Sequence, residues 1–255
     1  MDTLFPLLSP SDLVLAAMVA VLAGFVKGVV GFAMPLVFVS GLTTFMSAEL
    51  ALAGLILPTL LANVQQSLRQ GVQAAVRSTM DFRMFLGVGC VSLLASAQLV
   101  RFFSDHIMMA VIGIPVTFFA AVQLAGAQFS LRKPNTTLEM IAGGVAGGLG
   151  GVSGIWGPPT VAYLTALDTT KHDQMRVQGV IYGLGAVALL VAHVISGVVR
   201  AETIAFSVAM IPPALVGMQA GMLVMDRIDQ QVFRSATLFV LLIAGLNLVR
   251  RALMG

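Results

Sequence analysis

Residues Ala23 to Pro35 read AGFVKGVVGFAMP, and residues Ala146 to Pro158 read AGGLGGVSGIWGP. The two stretches share one alanine, three glycines, one valine and one proline in the same order, and every shared residue is displaced by 123 positions. A fixed offset of this kind indicates an internal repeat. We therefore predict two homologous halves, repeat 1 over about residues 10–130 and repeat 2 over about residues 138–253, joined by the polar stretch LRKPNTTL.

The composition identifies the solvent in which these halves fold. Of the 255 residues, 58% are hydrophobic and only 10% are charged, and the mean hydropathy is +0.98. Soluble domains carry about 25% charged residues because their surfaces face water. We therefore predict an all-α polytopic protein, a single integral membrane domain over residues 1–255 whose surroundings are the lipid bilayer. The net charge of +3 does not indicate nucleic acid binding, because the basic residues lie singly or in pairs at the ends of apolar runs.

Each half is predicted to contain a helical hairpin, broken by glycine and proline, followed by three transmembrane helices. The polar run from Arg69 to Arg83 is predicted to be a loop. If each hairpin starts and ends on one side, most of the loop arginines and lysines share one face, and the halves are inverted copies. The predicted helices cover about 49–70, 82–101 and 106–128 in the first half, and about 172–198, 202–224 and 229–250 in the second.

Prolines predict where the hairpins break. Proline cannot continue a helix from the preceding turn but suits the first turn of a new one. Free N–H groups at a new helix start attract anions, and two such starts near the bilayer midplane would form a substrate site. Close helix packing is the alternative role for the glycines Gly24, Gly28, Gly147 and Gly151, and the favoured one for Gly179 with Gly183 and Gly217 with Gly221. The substrate-binding candidates from this argument are Gly28, Gly31, Pro35, Gly154 and Pro158.

Lys27 is the candidate that carries charge. From Leu22 to Val39 its neighbours are apolar residues or glycines. A lysine at the bilayer centre costs about 2.5–3.5 kcal/mol on insertion scales, which favours a substrate-binding role. Snorkelling toward one interface is the alternative.

Several uncharged polar residues lie within apolar runs. Asn63 with Gln66, and Gln178 with Tyr182, are spaced so that each pair shares one helix face; each pair could line a cavity or bond to another helix. Ser153 and Trp156 flank the second break and can donate hydrogen bonds to an oxyanion. His193, deep in a predicted helix, is a candidate for proton coupling or for helix packing.

We expect no enzyme activity, no cofactor and no metal site. The histidines His106, His172 and His193 are too scattered for an intramembrane metalloprotease motif. The single cysteine, Cys90, cannot form a redox pair. An intramembrane serine hydrolase would require Ser153 and His193 to meet.

The doubled motif and the length of the chain resemble the TauE/SafE family of membrane permeases. The resemblance rests on GFVKGVVGFAMPL, at the start of the first half, and GGLGGVSGIWGPPTVAYL, at the start of the second. It implies a multi-pass protein of a bacterial-type plasma (inner) membrane, without cofactor, that carries a small sulfur-containing or carboxylate anion. Family members often carry a fuller glycine run in the first motif, which Val29, Val30 and Phe32 interrupt here; this departure concerns the substrate more than the fold.

We therefore expect a secondary transporter, an exporter of a small anion such as the sulfonate sulfoacetate or sulfite, which works by alternating access around the paired broken helices. The alternatives are a membrane channel, a structural subunit of a membrane assembly and, less favoured, an intramembrane enzyme. The sequence leaves open the exact substrate, the direction of transport, the coupling ion and whether the chain forms a homo-oligomer.

Overall fold

The computed structural model describes residues 9–97, 105–127, 131, 135–153, 157–195 and 201–254. Within these ranges every regular element is a helix, which confirms the all-α prediction. In chain order the helices are α1 (Pro10–Val30), α2 (Met34–Leu42), α3 (Ala48–Leu68), α4 (Val72–Asp81), α5 (Arg83–Ala97), α6 (Asp105–Leu124), α7 (Thr136–Ser153), α8 (Gly157–Ala166), α9 (Lys171–Ile195), α10 (Ala201–Arg227) and α11 (Gln230–Met254).

Several of these helices can cross a bilayer. By length and composition, α1, α3, α10 and α11 qualify among the described residues. The pair α4 and α5 makes a further candidate span, bent by 70°. The prediction of a multi-pass helical membrane protein is confirmed. Each of the six long helices predicted after the breaks has a counterpart, and residues 98–101, at the end of the second, lie outside the described ranges.

The predicted loop from Arg69 to Arg83 is wrong, because most of it forms α4. Its polar composition concealed an amphipathic period. Ala75 and Ser78, three residues apart, are buried on one face of the helix. The hydroxyl of Ser78 accepts a hydrogen bond of 2.7 Å from Nε of Arg176, which helps to hold this face against the protein.

The chain divides into two compact units. The first contains residues 1–72 and 178–229, and the second contains residues 73–177 and 230–255. Each unit therefore combines helices from both predicted halves. Helix α9 contributes to the second unit up to Val177 and to the first unit from Gln178 onward.

In the first unit, α1 packs against α10 through glycines on both helices. A methyl group added at Gly24 or Gly28 would overlap the carbonyl oxygens of Ala214 or Met218. Conversely, methyl groups at Gly217 and Gly221 would overlap backbone carbonyls of α1. The backbones thus approach as closely as small-residue motifs allow, and the predicted packing role is confirmed for all four of these glycines.

Pro58 interrupts the hydrogen bonds of α3 in the same unit. Because proline has no N–H group, it cannot donate to the carbonyl of Gly54. The hydroxyl of Ser207, on α10, donates to that carbonyl at 3.4 Å and accepts from the N–H of Leu57 at 3.2 Å. A side chain of the neighbouring helix therefore satisfies a backbone group that α3 leaves free, as an apolar medium requires.

The second unit uses the same kind of contact between α7 and α5. A methyl group at Gly147 would overlap the Gly89 carbonyl, and one at Gly143 would overlap that of Phe85. Glu139 on α7 also accepts a 3.0 Å hydrogen bond from the N–H of Phe85 near the start of α5. Helices α6 and α11 form the second close pair of this unit.

Two adjacent glycines of α7 test the packing directly. Gly147→Ala should destabilise the protein by about 1–3 kcal/mol, because the new methyl group meets backbone that cannot move aside. At Gly148 an added methyl group meets no atom within 4 Å, so Gly148→Ala should leave the melting temperature unchanged or raise it, alanine being the better helix former by up to about 1 kcal/mol. Thermal unfolding in detergent measures both, and equal melting temperatures would contradict the packing.

Candidate functional site

The first predicted break lies between α1 and α2, and the structure confirms it. Gly31 ends α1 in the left-handed conformation with φ of 86°, and its N–H donates to the Lys27 carbonyl at 2.7 Å. Ala33 precedes α2 with φ of 66°, and Pro35 follows in the first turn. A left-handed residue is the usual end of a helix when it is glycine, whereas for Ala33 this conformation costs about 1–2 kcal/mol.

Lys27 is enclosed beside this break. Only 2% of its side chain is exposed. Its Nζ donates to Oδ1 of Asn63 at 2.7 Å and to the Gly31 carbonyl at 3.4 Å. Nζ also lies 5.8 Å from the centroid of the Tyr182 ring, within the range of a cation–π interaction. Lys27 therefore does not snorkel.

Asn63 and Gln66 connect α3 to its neighbours. While Oδ1 of Asn63 accepts from Lys27, its Nδ2 donates to the Tyr182 carbonyl at 3.1 Å. Nε2 of Gln66 donates to the Gly31 carbonyl at 3.1 Å. Both side chains are buried. Hydrogen bonding between helices, one of the two roles predicted for this pair, is confirmed, and contact with a substrate stays a prediction.

The glycines of α9 bring Tyr182 within reach of α3. A methyl group at Gly179 would lie 2.6 Å from the backbone nitrogen of Ser67, and one at Gly183 would lie 3.8 Å from Cβ of Asn63. The close approach predicted for Gly179 is confirmed, whereas Gly183 makes ordinary contact. Gln178, one turn before Tyr182, is completely buried.

The charge of Lys27 has no opposite charge beside it. Among the described residues it is the one charged side chain that is buried, and its partners are an amide, a carbonyl and an aromatic ring. The ammonium group also lies in the last turn of α1, where it complements the negative end of the helix dipole. The hydrogen bonds to Asn63 and Gly31 use two of the three N–H groups of the ammonium, and no described residue accepts from the third.

Thr59 is a buried polar residue, and a further site candidate, that the sequence reasoning missed. It lies four residues before Asn63, hence on the same face of α3. Only 8% of it is exposed, and its hydroxyl has no hydrogen-bond partner among the described residues. The signal was available in the spacing of Thr59, Asn63 and Gln66, but a threonine within a helix commonly bonds to its own backbone and attracts no notice.

The remaining candidates of the first half are Gly28 and Pro35. Gly28 packs against α10, the alternative role predicted for it. Pro35 is exposed, and α2 begins without a hydrogen bond from a capping side chain. Anion binding by either residue stays a prediction.

The second predicted break falls on residues 154–156, which lie outside the described residues. Helix α7 ends at Ser153, and α8 starts at Gly157 with Pro158 and Pro159 in its first turn. Gly154 and Trp156 lie outside the described residues, as do the side chains of Ser153 and His193. Pro158 is buried in the second unit. The substrate-binding and proton-coupling roles of these residues stay predictions.

Comparison with known proteins gives one match. A family model described as "Sulfite exporter TauE/SafE" matches residues 16–248. No curated protein and no solved structure matches the chain. The matched region includes Lys27, Asn63, Gln66 and Tyr182, which we call the Lys27 cluster, and both predicted breaks.

A double-mutant cycle tests the hydrogen bond between Lys27 and Asn63. Asn63→Leu should destabilise the protein by about 1–3 kcal/mol, because it removes the acceptor of a buried ammonium group. In the Lys27→Met background the same substitution should cost less, with a coupling of about 0.5–3 kcal/mol. Thermal unfolding of the four proteins measures the coupling, and an equal cost of Asn63→Leu in both backgrounds would show that the pair contributes nothing.

Proposed function

The chain belongs to the TauE/SafE family of sulfite exporters, and from that premise we propose that it is a secondary transporter that exports a small anion, a sulfonate such as sulfoacetate or sulfite. The observation that carries the proposal is the burial of Lys27 among neutral partners. We further propose a plasma (inner) membrane location, in a bacterial-type cell, and a cycle that needs no cofactor.

A buried lysine is a costly way to stabilise a helix end. Its charge costs about 2.5–3.5 kcal/mol at the bilayer centre on insertion scales, whereas a neutral amide donates to the same Gly31 carbonyl, as Gln66 does at 3.1 Å. What the ammonium adds is attraction for an anion, which is strong where water is scarce. The neutral partners leave that attraction uncompensated by a carboxylate.

Binding would exchange partners around Nζ. The anion would take the N–H of Lys27 that has no described acceptor, and then compete with Oδ1 of Asn63 for a second one. The Thr59 hydroxyl, on the same face of α3, is a further donor. We place Gln66, Gln178 and Tyr182 around this anion, with Gly28, Gly31 and Pro35 at the break.

The repeat supports alternating access as the mechanism. Each Gly-rich helix packs by glycine contacts on the second long helix of the opposite predicted half, α1 on α10 and α7 on α5. Helix α1 then breaks before α2, which has proline in its first turn, and we propose an equivalent break before α8, which begins with Gly157, Pro158 and Pro159. We propose that the two halves are inverted copies, and that the second break supplies the equivalent contacts from Ser153, Gly154, Trp156 and Pro158.

The coupling of transport is part of the proposal. Among the described residues no carboxylate is buried, so export would be driven by the anion gradient and the membrane potential, with His193 as the candidate for proton coupling. A channel, the alternative function, would not accumulate substrate against a gradient. Counterflow in proteoliposomes separates the two, because trans substrate accelerates the uptake of labelled sulfite by a carrier and not by a channel.

Lys27 is the residue to replace first. Sulfite should raise the melting temperature of the wild-type protein in detergent by linkage. Lys27→Ala should abolish this shift while the protein stays folded, and Lys27→Arg should retain part of it, because the charge remains but the geometry of the donor changes.

Lys171→Ala is the matched control, because it removes the same side chain at the start of α9 rather than in the cluster. It should show the wild-type shift. An equal anion-induced shift in Lys27→Ala and wild type would rule out direct binding by Lys27.

A further inference from the structure

The buried cluster around Lys27 contains one positive charge and no negative one. Among the described residues, Lys27 is the sole charged member of the buried set, and its contacts are Asn63, Gly31 and the Tyr182 ring. We propose that this site selects anions with a single negative charge, such as hydrogensulfite or a simple alkanesulfonate, and rejects dianions of similar shape. The inference rests on the proposed transport function, whose site it refines.

Charge balance is the first reason. A monoanion beside the ammonium makes a pair without net charge. A dianion leaves one negative charge that no described side chain compensates, in a region from which water is largely excluded. Uncompensated charge is expensive in such surroundings, so the second charge weakens binding rather than strengthening it.

The partners of Nζ are the second reason. Oδ1 of Asn63 and the Gly31 carbonyl both present oxygen lone pairs to the position that an anion must approach. The electron-rich face of Tyr182 lies on another side of Nζ. A monoanion can be accommodated by the spare N–H of Lys27 and the hydroxyl of Thr59, whereas a doubly charged anion would be repelled more strongly by the same oxygens.

The other charged residues of the first unit that the structure describes lie at or next to helix ends. Asp12 and Glu49 occupy first turns of α1 and α3. Arg69 pairs with Asp226 at the other ends of α3 and α10, beside Arg227, and α2 contains no charged residue. Tyr182 is the titratable group that faces Lys27 among the described residues. None of these groups supplies a second positive charge beside Nζ.

The inference separates the two substrates considered above. Sulfite is singly charged when protonated as hydrogensulfite, and this form is in equilibrium with the dianion near neutral pH. Sulfoacetate carries two negative charges at neutral pH, one on each acid group. The charge of the site therefore favours hydrogensulfite over sulfoacetate.

Calorimetric titration of the full-length protein in detergent tests the charge rule. Methanesulfonate, a monoanion at every pH used, should bind, and sulfate should bind at least about tenfold more weakly, since tenfold corresponds to only 1.4 kcal/mol of charge penalty. The affinity for total sulfite should fall as the pH rises from about 6 to about 8, in proportion to the hydrogensulfite fraction. Methanesulfonate over the same range corrects for titration of the protein itself, including Lys27 and Tyr182.

The substitution Asn63→Asp supplies an independent readout. The new carboxylate would pair with Lys27, so the protein should stay folded but lose methanesulfonate binding by at least about tenfold. Asn247→Asp makes the same change on α11 in the second unit and should bind methanesulfonate as the wild type does. If Asn63→Asp does not fold, Gln66→Lys, which adds a second cation on the same face, should raise the affinity for sulfate relative to methanesulfonate.

The outcomes distinguish the two proposals. Sulfate binding as tightly as methanesulfonate, or a sulfite affinity that does not fall with pH, would overturn the charge rule and leave anion transport standing. Absence of binding by all three anions would overturn both. Tighter binding of methanesulfonate than of sulfate, together with a fall in the affinity for total sulfite at high pH, would establish the charge rule.

Discussion

The last carbonyl groups of a helix that ends in an apolar medium must accept hydrogen bonds from other protein groups, because no water is there to donate to them. In this protein that constraint is met at Gly31, whose carbonyl receives hydrogen bonds from Lys27 of its own helix and from Gln66 of α3. Asn63 then holds the lysine in place and bonds to the backbone of α9. Three helices, α1, α3 and α9, are thus linked at one broken helix end.

The glycines bring the helices close enough together for these hydrogen bonds to form. Close approach of α9 to α3 at Gly179 places the Tyr182 carbonyl within 3.1 Å of the Asn63 amide. On the other side, Gly24 and Gly28 let α1 contact the backbone of α10, so the helix that carries Lys27 is held along most of its length. The packing glycines therefore hold in position the helices that carry the polar side chains of the cluster.

We propose that the same arrangement also serves transport. The groups that hold the ammonium, an amide oxygen, a carbonyl and an aromatic ring, are neutral, and a neutral partner can be displaced by an anion more readily than a carboxylate can. A carboxylate in the position of Asn63 would stabilise the charge of Lys27 and would prevent an anion from binding to it. Membership of a family of sulfite exporters supports the transport function, and the proposal that Lys27 binds the anion rests on the geometry of the first break.

The sequence predicted the membrane class, the first break and the approximate positions of the long helices correctly, because composition and proline chemistry act locally. It also singled out Lys27 as a charge within an apolar run. It assigned Asn63, Gln66 and Tyr182 to helix faces but could not say what those faces meet. It missed α4, whose amphipathic period is hidden by its polar composition, and Thr59, whose unbonded hydroxyl is apparent only in three dimensions. Only the three-dimensional structure shows that Lys27 is enclosed rather than snorkelling, and that its partners are neutral. Its burial and its contacts depend on Asn63 and Tyr182, which lie 36 and 155 positions away in the chain.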